Sequence, residues 1–186
     1  FSLDGTYLEP KPEVTPLVYA GGESEAGRTA IAGFADAYLT HGGTVDELAA
    51  KIADMRRRRA EAGREPFERF GMAGFAIVRD TEAEAQAELD RITDVRHGAA
   101  YESYQDFVSK SQLDTRVDLK DYSVSNRGLR PGFVGTPEQV AARILEFEAV
   151  GVDTLLLQFS PALEELQRFG EEVIPLVRAG RGAFGA

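Results

Sequence analysis

"GTPEQVAARILEFEAVGVDTLLLQFSP", residues 135–161, sets a helix and a strand in immediate succession. Thr136 is a favourable N-cap residue. Pro137 suits the first helical position, where its missing N–H has no intrahelical partner to lose, and Gly151 supplies a stop. Leu155 to Phe159 follows as an apolar run without alternation, the pattern of a strand covered on both faces. A helix that feeds straight into a buried strand belongs to a β/α repeat, so the same rhythm should recur upstream.

It does, three times. Leu17 to Ala20 reads as a strand led in by "EPKPEVTP", whose prolines forbid helix, and a helix from about Ser24 to Phe34 follows. Ala37 to Thr40, within "DAYLTHGG", is the second strand, and Val45 to Ala62 is its helix. "TVDE" at 44–47 has capping-box spacing, and Gly63 ends that helix. Ala73 to Val78 is the third strand, followed by "RDTEAEAQAELDRI", where Thr81 and Glu84 repeat the capping-box spacing. After the fourth strand, Pro161 opens a last helix with Leu163, Leu166, Phe169, Val173 and Ile174 at helical intervals. Four parallel strands with covering helices fit either a doubly wound sheet or half of an eight-stranded barrel, and periodicity does not separate the two. A half barrel would expose two sheet edges and an inner face and so require a partner. Residues 97–132 interrupt the rhythm. Tyr101, Tyr104 and Phe107 predict a helix, and "DLKDYSVSNRGLRPG" (118–132) predicts a loop that could serve as a lid.

Composition narrows the function. The chain has 186 residues, 43% of them hydrophobic, enough for one domain spanning 1–186. Cysteine is absent, which removes disulfides and thiolate metal sites and fits a reducing, cytoplasmic setting. No apolar run reaches the roughly 20 residues of a membrane helix. A formal net charge of -10 disfavours nucleic acid. A start at Phe1, in a proline-punctuated segment, reads as the interior of a longer protein.

Few residues are framed for chemistry. Gly21 and Gly22 lie between a strand and a helix, where backbone amides could meet an anion at the positive end of a helix, although Gly-Gly also serves ordinary turns. Glu23 and Glu25 count against an anion unless their side chains face away. His41 directly follows a strand, where α/β enzymes gather their chemistry, while His97 beside Arg96 reads as surface. No His, Asp and Glu set has metal-ligand spacing, and no serine is framed as a nucleophile. "MRRRRAEAGRE" at 55–65 reads as a solvated helix face paired with acids, whereas Arg127 and Arg130 lie on the candidate lid, where a cation could close over an anionic ligand.

In their order, "LEPKP", "PLVYAGGESEAG", "DAYLTHGG", "FGMAGFAIVRDTEAEA" and "FVGTPEQVAARILEFEAVGVDTLLLQFSPALEELQRF" resemble the C-terminal half of the bacterial-luciferase-like, reduced-flavin-dependent monooxygenases, nearest the sulfur-scavenging group. The resemblance implies an α/β fold that is the C-terminal half of a (βα)8 TIM barrel, with the N-terminal half missing. It implies FMN as cofactor in its reduced form FMNH2, O2 as co-substrate, an NAD(P)H-dependent FMN reductase as partner, and homo-oligomers. Gly21, Gly22, Glu23 and Ser24 would then hold the FMN phosphate. Arg127 in "NRGLRPG" would be a lid arginine, and Phe75, Gln158, Phe159 and Ser160 would border the substrate. No catalytic group is assigned.

Departures refine the substrate. Where alkanesulfonate enzymes carry an arginine and a histidine on the seventh strand, this chain has Ala73 and Phe75, and Ser160 replaces a tyrosine after the eighth. An anionic sulfonate would be left without its counter-charge in such a pocket, so a small neutral organosulfur compound, dimethyl sulfone, fits better. The alternatives are an alkanesulfonate monooxygenase, a deazaflavin-dependent oxidoreductase of the same fold, and a non-catalytic half-barrel module.

Overall fold

The computed structural model describes residues 4–5, 9–10, 12–94, 99–110, 119 and 128–184, with only the backbone at 99–100 and 182–184. Strand β1 (Tyr19–Gly21) leads through a tight turn to α1 (Glu25–Phe34). Then come β2 (Ala37–Thr40), α2 (Val45–Glu61), β3 (Arg69–Phe75), β4 (Ile77–Val78), α3 (Glu82–Thr93) and α4 (Ala99–Lys110). The chain continues through β5 (Val134–Gly135), α5 (Pro137–Ala149), β6 (Thr154–Gln158) and α6 (Ala162–Arg168), and finishes with a π-helical turn (Phe169–Val173) and α7 (Ile174–Phe184).

The four longer strands form one parallel sheet in the order β1-β2-β3-β6. Gly21 stands beside Leu39, Leu39 beside Gly71, and Gly71 beside Thr154. Strictly sequential neighbours are the order of a barrel, whereas a doubly wound sheet reverses at a switch point and carries helices on both faces. Among the described residues the main helical layer covers one face, while on the other face only the end of β3 at Phe75 is covered. Ala20, Tyr38, Phe70, Met72, Leu155 and Leu157 pack with Leu48, Ile52, Met55, Phe133, Val140, Ile144, Phe147 and Val173 in a single cluster under the helices. The fold is α/β, half of a (βα)8 barrel.

Local signals hold it in place. Thr44, Thr81 and Thr136 each close a capping box with the residue three positions on, Glu47, Glu84 and Gln139, each cap contributing about 1 kcal/mol. Gly63 and Gly151 adopt φ of +63° and +103°, the left-handed geometry that ends α2 and α5. The Phe133 ring meets Phe147 edge-on at 5.6 Å and fills the space above Gly74, where a Cβ would lie 2.9 Å from that ring.

Three expectations change. The third strand begins at Arg69, not Ala73, and breaks at Ala76, where the chain exchanges partners: up to Phe75 it pairs with β6, and from Ile77 with β5. Strand β5 is only two residues long, too short to show a period, and was not anticipated. Strand β6 is covered on one face, not two, because Leu156 and Gln158 point away from the helices and are exposed. The last helical stripe also divides: Phe169 and Val173 are buried, whereas Leu163 and Leu166 are more than half exposed. Within 97–132, the helix at Tyr101, Tyr104 and Phe107 is α4, while His97 and most of the candidate lid lie outside the described residues.

Candidate functional site

The carboxyl ends of β1 and β2 bring together a polar cluster at the sheet's rim. Glu23, in the β1–α1 turn, points its carboxylate across to β2. There the Thr40 hydroxyl donates to Oε1 at 2.7 Å, the Lys51 ammonium of α2 joins the same oxygen, and His41 Nδ1 lies 3.3 Å from Oε2. Lys51 also donates to Thr40 Oγ1 at 3.1 Å. Burial of Glu23 opposes ionisation, but the hydrogen bonds from His41, Lys51 and Thr40 and the Lys51 charge outweigh it and hold the carboxyl far below its usual range. An ionised carboxylate only accepts, so the proton in the His41 contact belongs to Nδ1 and the tautomer is set.

The turn itself is tightly built. Tyr38, inside the outer core, donates its hydroxyl to the Gly22 carbonyl at 2.9 Å, and burial, followed by the Glu23 charge, pushes this phenol's pKa up and keeps it a neutral donor. Ser24 caps α1, its Oγ accepting from the Gly27 amide at 3.1 Å. A Cβ at Gly22 would come within 3.2 Å of Ile31 Cδ1, one at Gly21 within 3.2 Å of the Leu39 carbonyl, and one at Gly27 within 3.0 Å of Ser24 Oγ. A side chain at these positions would thus press on its neighbours by a few tenths of an ångström, so close packing by itself gives glycine a reason to stand here. The second acid of the turn, Glu25, faces away: Arg58 holds it at 2.8 Å through two nitrogens and Arg28 at 3.1 Å, and these hydrogen bonds, Arg58's first, lower its pKa.

The other expected site residues are dispersed. Phe75 is buried in a small cluster with Ile77, Ala85, Leu89, Ile92, Leu129 and Val134 at the far end of β3. Its amide donates to the Gly128 carbonyl at 2.8 Å, which fastens the end of the 97–132 segment to the sheet. Gln158 is exposed on the open face beside Phe75, and its carbonyl accepts from the Ala76 amide at 3.1 Å. Phe159 turns the other way and meets Phe169 edge-on at 5.4 Å, and Ser160 is exposed. Arg127 lies outside the described residues. Arg130 pairs with Glu47 of the α2 capping box. Thus Gly21 to Ser24 form one unit, Phe75, Gln158 and Ser160 gather near the ends of β3 and β6, and the Phe159 ring belongs to the outer layer.

Tyr38, Thr40 and Lys51 were missed by sequence reasoning. Thr40 reads as the last residue of a strand, and Lys51 falls within the second helix with nothing to single it out. The one signal available, unused in that reading, was that Lys51 is the lone charge in the otherwise apolar stretch "LAAKIA", residues 48–53, of α2. The arginine run was half right. Arg57 and Arg58 pair with acids on α1 and α2, but Arg59 is buried and Arg56 lies over the Phe70 ring. Their neighbours "PFERF" bring aromatic faces that a charge count ignores.

Comparison with known proteins places this geometry. The chain is 34% identical over 189 residues to an FMNH2-dependent dimethylsulfone monooxygenase of Pseudomonas fluorescens, covering 96% of this chain and 50% of that protein. It is 35% identical over 187 residues to one of Pseudomonas putida, covering 92% and 49%. The chain therefore spans about half the length of the curated relatives it matches. A solved long-chain alkane monooxygenase superposes with a TM-score of 0.69 at 25% identity, over 94% of this chain and 44% of that one. The luciferase-like monooxygenase model matches residues 1–154, more than three quarters of the sequence. The chain belongs to the luciferase-like monooxygenase family.

Proposed function

We propose that this chain supplies half of the active-site rim of a reduced-FMN-dependent monooxygenase that cleaves a C–S bond of a small neutral organosulfur compound, dimethyl sulfone to methanesulfinate. The whole chain is read as one partial-barrel domain, with 97–132 as an insertion that covers the rim. One observation carries the reading. Both acids of the "GGESE" turn are drawn off by cations, Glu23 by Lys51 and Glu25 by Arg28 and Arg58, so the start of α1 keeps its positive character where a phosphate would sit. This removes the main objection to a phosphate beside Gly21, Gly22 and Ser24, and Tyr38 fixes the backbone there through the Gly22 carbonyl.

When bound, the reduced flavin supplies the oxygen chemistry, with O2 as co-substrate. The chain's residues bind and orient. The turn would take the phosphate on main-chain amides, Glu23 would act through Thr40 and His41 rather than touch the phosphate, and Phe75, Gln158, Ser160 and Arg127 would shape and close the substrate space. Ala73 and Phe75 offer no cation on β3, which suits a neutral sulfone. The names of the two Pseudomonas relatives support the same cofactor and substrate. A separate NAD(P)H-dependent flavin reductase would deliver FMNH2, and the barrel's other half would complete the pocket, so the 186 residues alone turn over no sulfone. We place the protein in the cytoplasm as a homo-oligomer; no helix among the described residues is long and apolar enough to cross a membrane.

The test is anaerobic titration of the full-length protein with FMNH2 and, separately, with a reduced deazaflavin, followed by admission of O2 with dimethyl sulfone. Tight FMNH2 binding and sulfone-dependent methanesulfinate are expected. Preference for the deazaflavin, or flavin oxidation without sulfinate, overturns the reading.

A further inference from the structure

The arginine run of α2 ends in a cavity of about 480 Å³ at the opposite end of the sheet, where β3 begins and the chain enters β6. Three arginines line it, Arg56, Arg59 and Arg64, together with Phe67 and Phe70. Arg59 is only 5% exposed and stacks on Phe67 at 4.6 Å. Its Nε donates to the Glu65 carbonyl at 2.5 Å and its Nη1 to the Ala32 carbonyl at 2.9 Å, but it has no carboxylate partner among the described residues. A buried arginine is ordinarily matched by an anion. Arg56 lies over Phe70 at 5.3 Å, with Nη2 3.0 Å from where a Cβ at Gly151 would stand. Neither Arg56 nor Arg64 forms an ion pair among the described residues. This contrasts with Arg57 and Arg58 next door, which are matched by Asp54, Glu61 and Glu25.

Two acids also border the cavity. Asp153 is occupied, accepting from the Phe70 amide at 3.0 Å and the Thr154 hydroxyl at 2.7 Å. Glu68 is exposed at the rim. Three arginines against two acids give this lining an excess of one positive charge, although the adjoining cleft along Arg59 and Arg64 also carries Asp36 and Glu65, and the aromatic walls favour a ligand with an apolar part.

We propose that this basal cavity is a second ligand site, separate from the flavin rim, which takes a small molecule bearing a carboxylate or phosphate group. Arg56 and Arg64 bind the oxyanion, Arg59 supplies the underlying positive charge, and Phe67 and Phe70 form the apolar floor. The site does not depend on the flavin reading, because it uses other residues at the other end of the strands.

Calorimetric titration of the protein with benzoate and with inorganic phosphate, at constant ionic strength set by chloride, tests it. Saturable binding of at least one probe is expected; the better binder tells whether an aryl carboxylate or a phosphate is the preferred chemistry. The double variant Arg56→Gln/Arg64→Gln should weaken that binding at least tenfold, and Glu68→Gln, which removes a rim carboxylate, should tighten it. Absence of saturable binding by both probes, or wild-type affinity in the double variant, overturns the proposal. The Glu68→Gln arm keeps the test decisive if the double variant folds poorly, because unchanged or weaker binding there also counts against the site.

Discussion

The Thr40 hydroxyl donates to the Glu23 carboxylate across 2.7 Å, tying the end of β2 to the turn that follows β1. Lys51 and His41 close on the same carboxylate, so one acid fastens two strand ends and a helix at the rim. Glu23 and Lys51 side chains are 16% and 23% exposed, far enough from water that breaking the pair leaves a poorly solvated charge.

Glu23→Gln keeps an acceptor for Thr40 but strands the Lys51 ammonium. A loss of about 1–3 kcal/mol is expected, which for a domain of this size lowers the melting temperature by roughly 3–10 °C. Thermal unfolding of the variant checks this; a change within about 0.5 kcal/mol, typical of a surface site, would show the pair to be ornamental.

The same group makes stability depend on acid. Its folded pKa lies below the unfolded value of about 4.3, so its stabilisation is complete above that pH and is lost as pH falls towards the folded pKa. The stability gap between wild type and Glu23→Gln should be full at pH 7 and narrow steadily below about pH 4. Urea unfolding across pH 7 to 3 measures it, and a gap that stays constant contradicts the assignment.

Ser24→Ala removes the α1 cap and should cost about 1 kcal/mol. If the turn holds a phosphate, the variant should also bind FMN several-fold more weakly while riboflavin, which lacks the phosphate, binds as before. Comparing the two dissociation constants in the full-length protein separates a cradle from a plain helix start; an unchanged FMN-to-riboflavin ratio favours the plain start.

Leu156 is 47% exposed on the open face of β6. Leu156→Gln should therefore change the stability of the 186-residue chain by less than about 0.5 kcal/mol, yet cost about 1.5–3 kcal/mol in a complete barrel where that side chain is buried. Equal effects in the two contexts would argue against a second half covering this face.

Gly74→Ala should be costly out of proportion to its size. The added methyl would lie 2.9 Å from the Phe133 ring, itself fully buried against Phe147, so overpacking of about 1–3 kcal/mol is expected. A companion Phe133→Leu change that relieves the clash should recover part of the loss, whereas strictly additive losses would place the strain elsewhere.

The sequence by itself determined most of the elements, though not the two-residue β5 or the start of β3. Ala37–Thr40 is bounded as read, the capping boxes at Thr44 and Thr81 and the Thr136 cap start their helices at Val45, Glu82 and Pro137, and Gly63 and Gly151 stop theirs, because capping and left-handed turns are set by a few adjacent residues. Family motifs added the barrel and its turn of glycines. Only the tertiary structure decided what those elements do to one another. Sequential strand order, with the main helical layer on one face among the described residues, separates half a barrel from a doubly wound sheet, and that order depends on pairing between residues as distant as Gly71 and Thr154. The meeting of Glu23 with Thr40 and Lys51 was hidden for the same reason. A carboxylate's partners are fixed by where strands end in space, and residues 23, 40 and 51 share no period that would announce their contact.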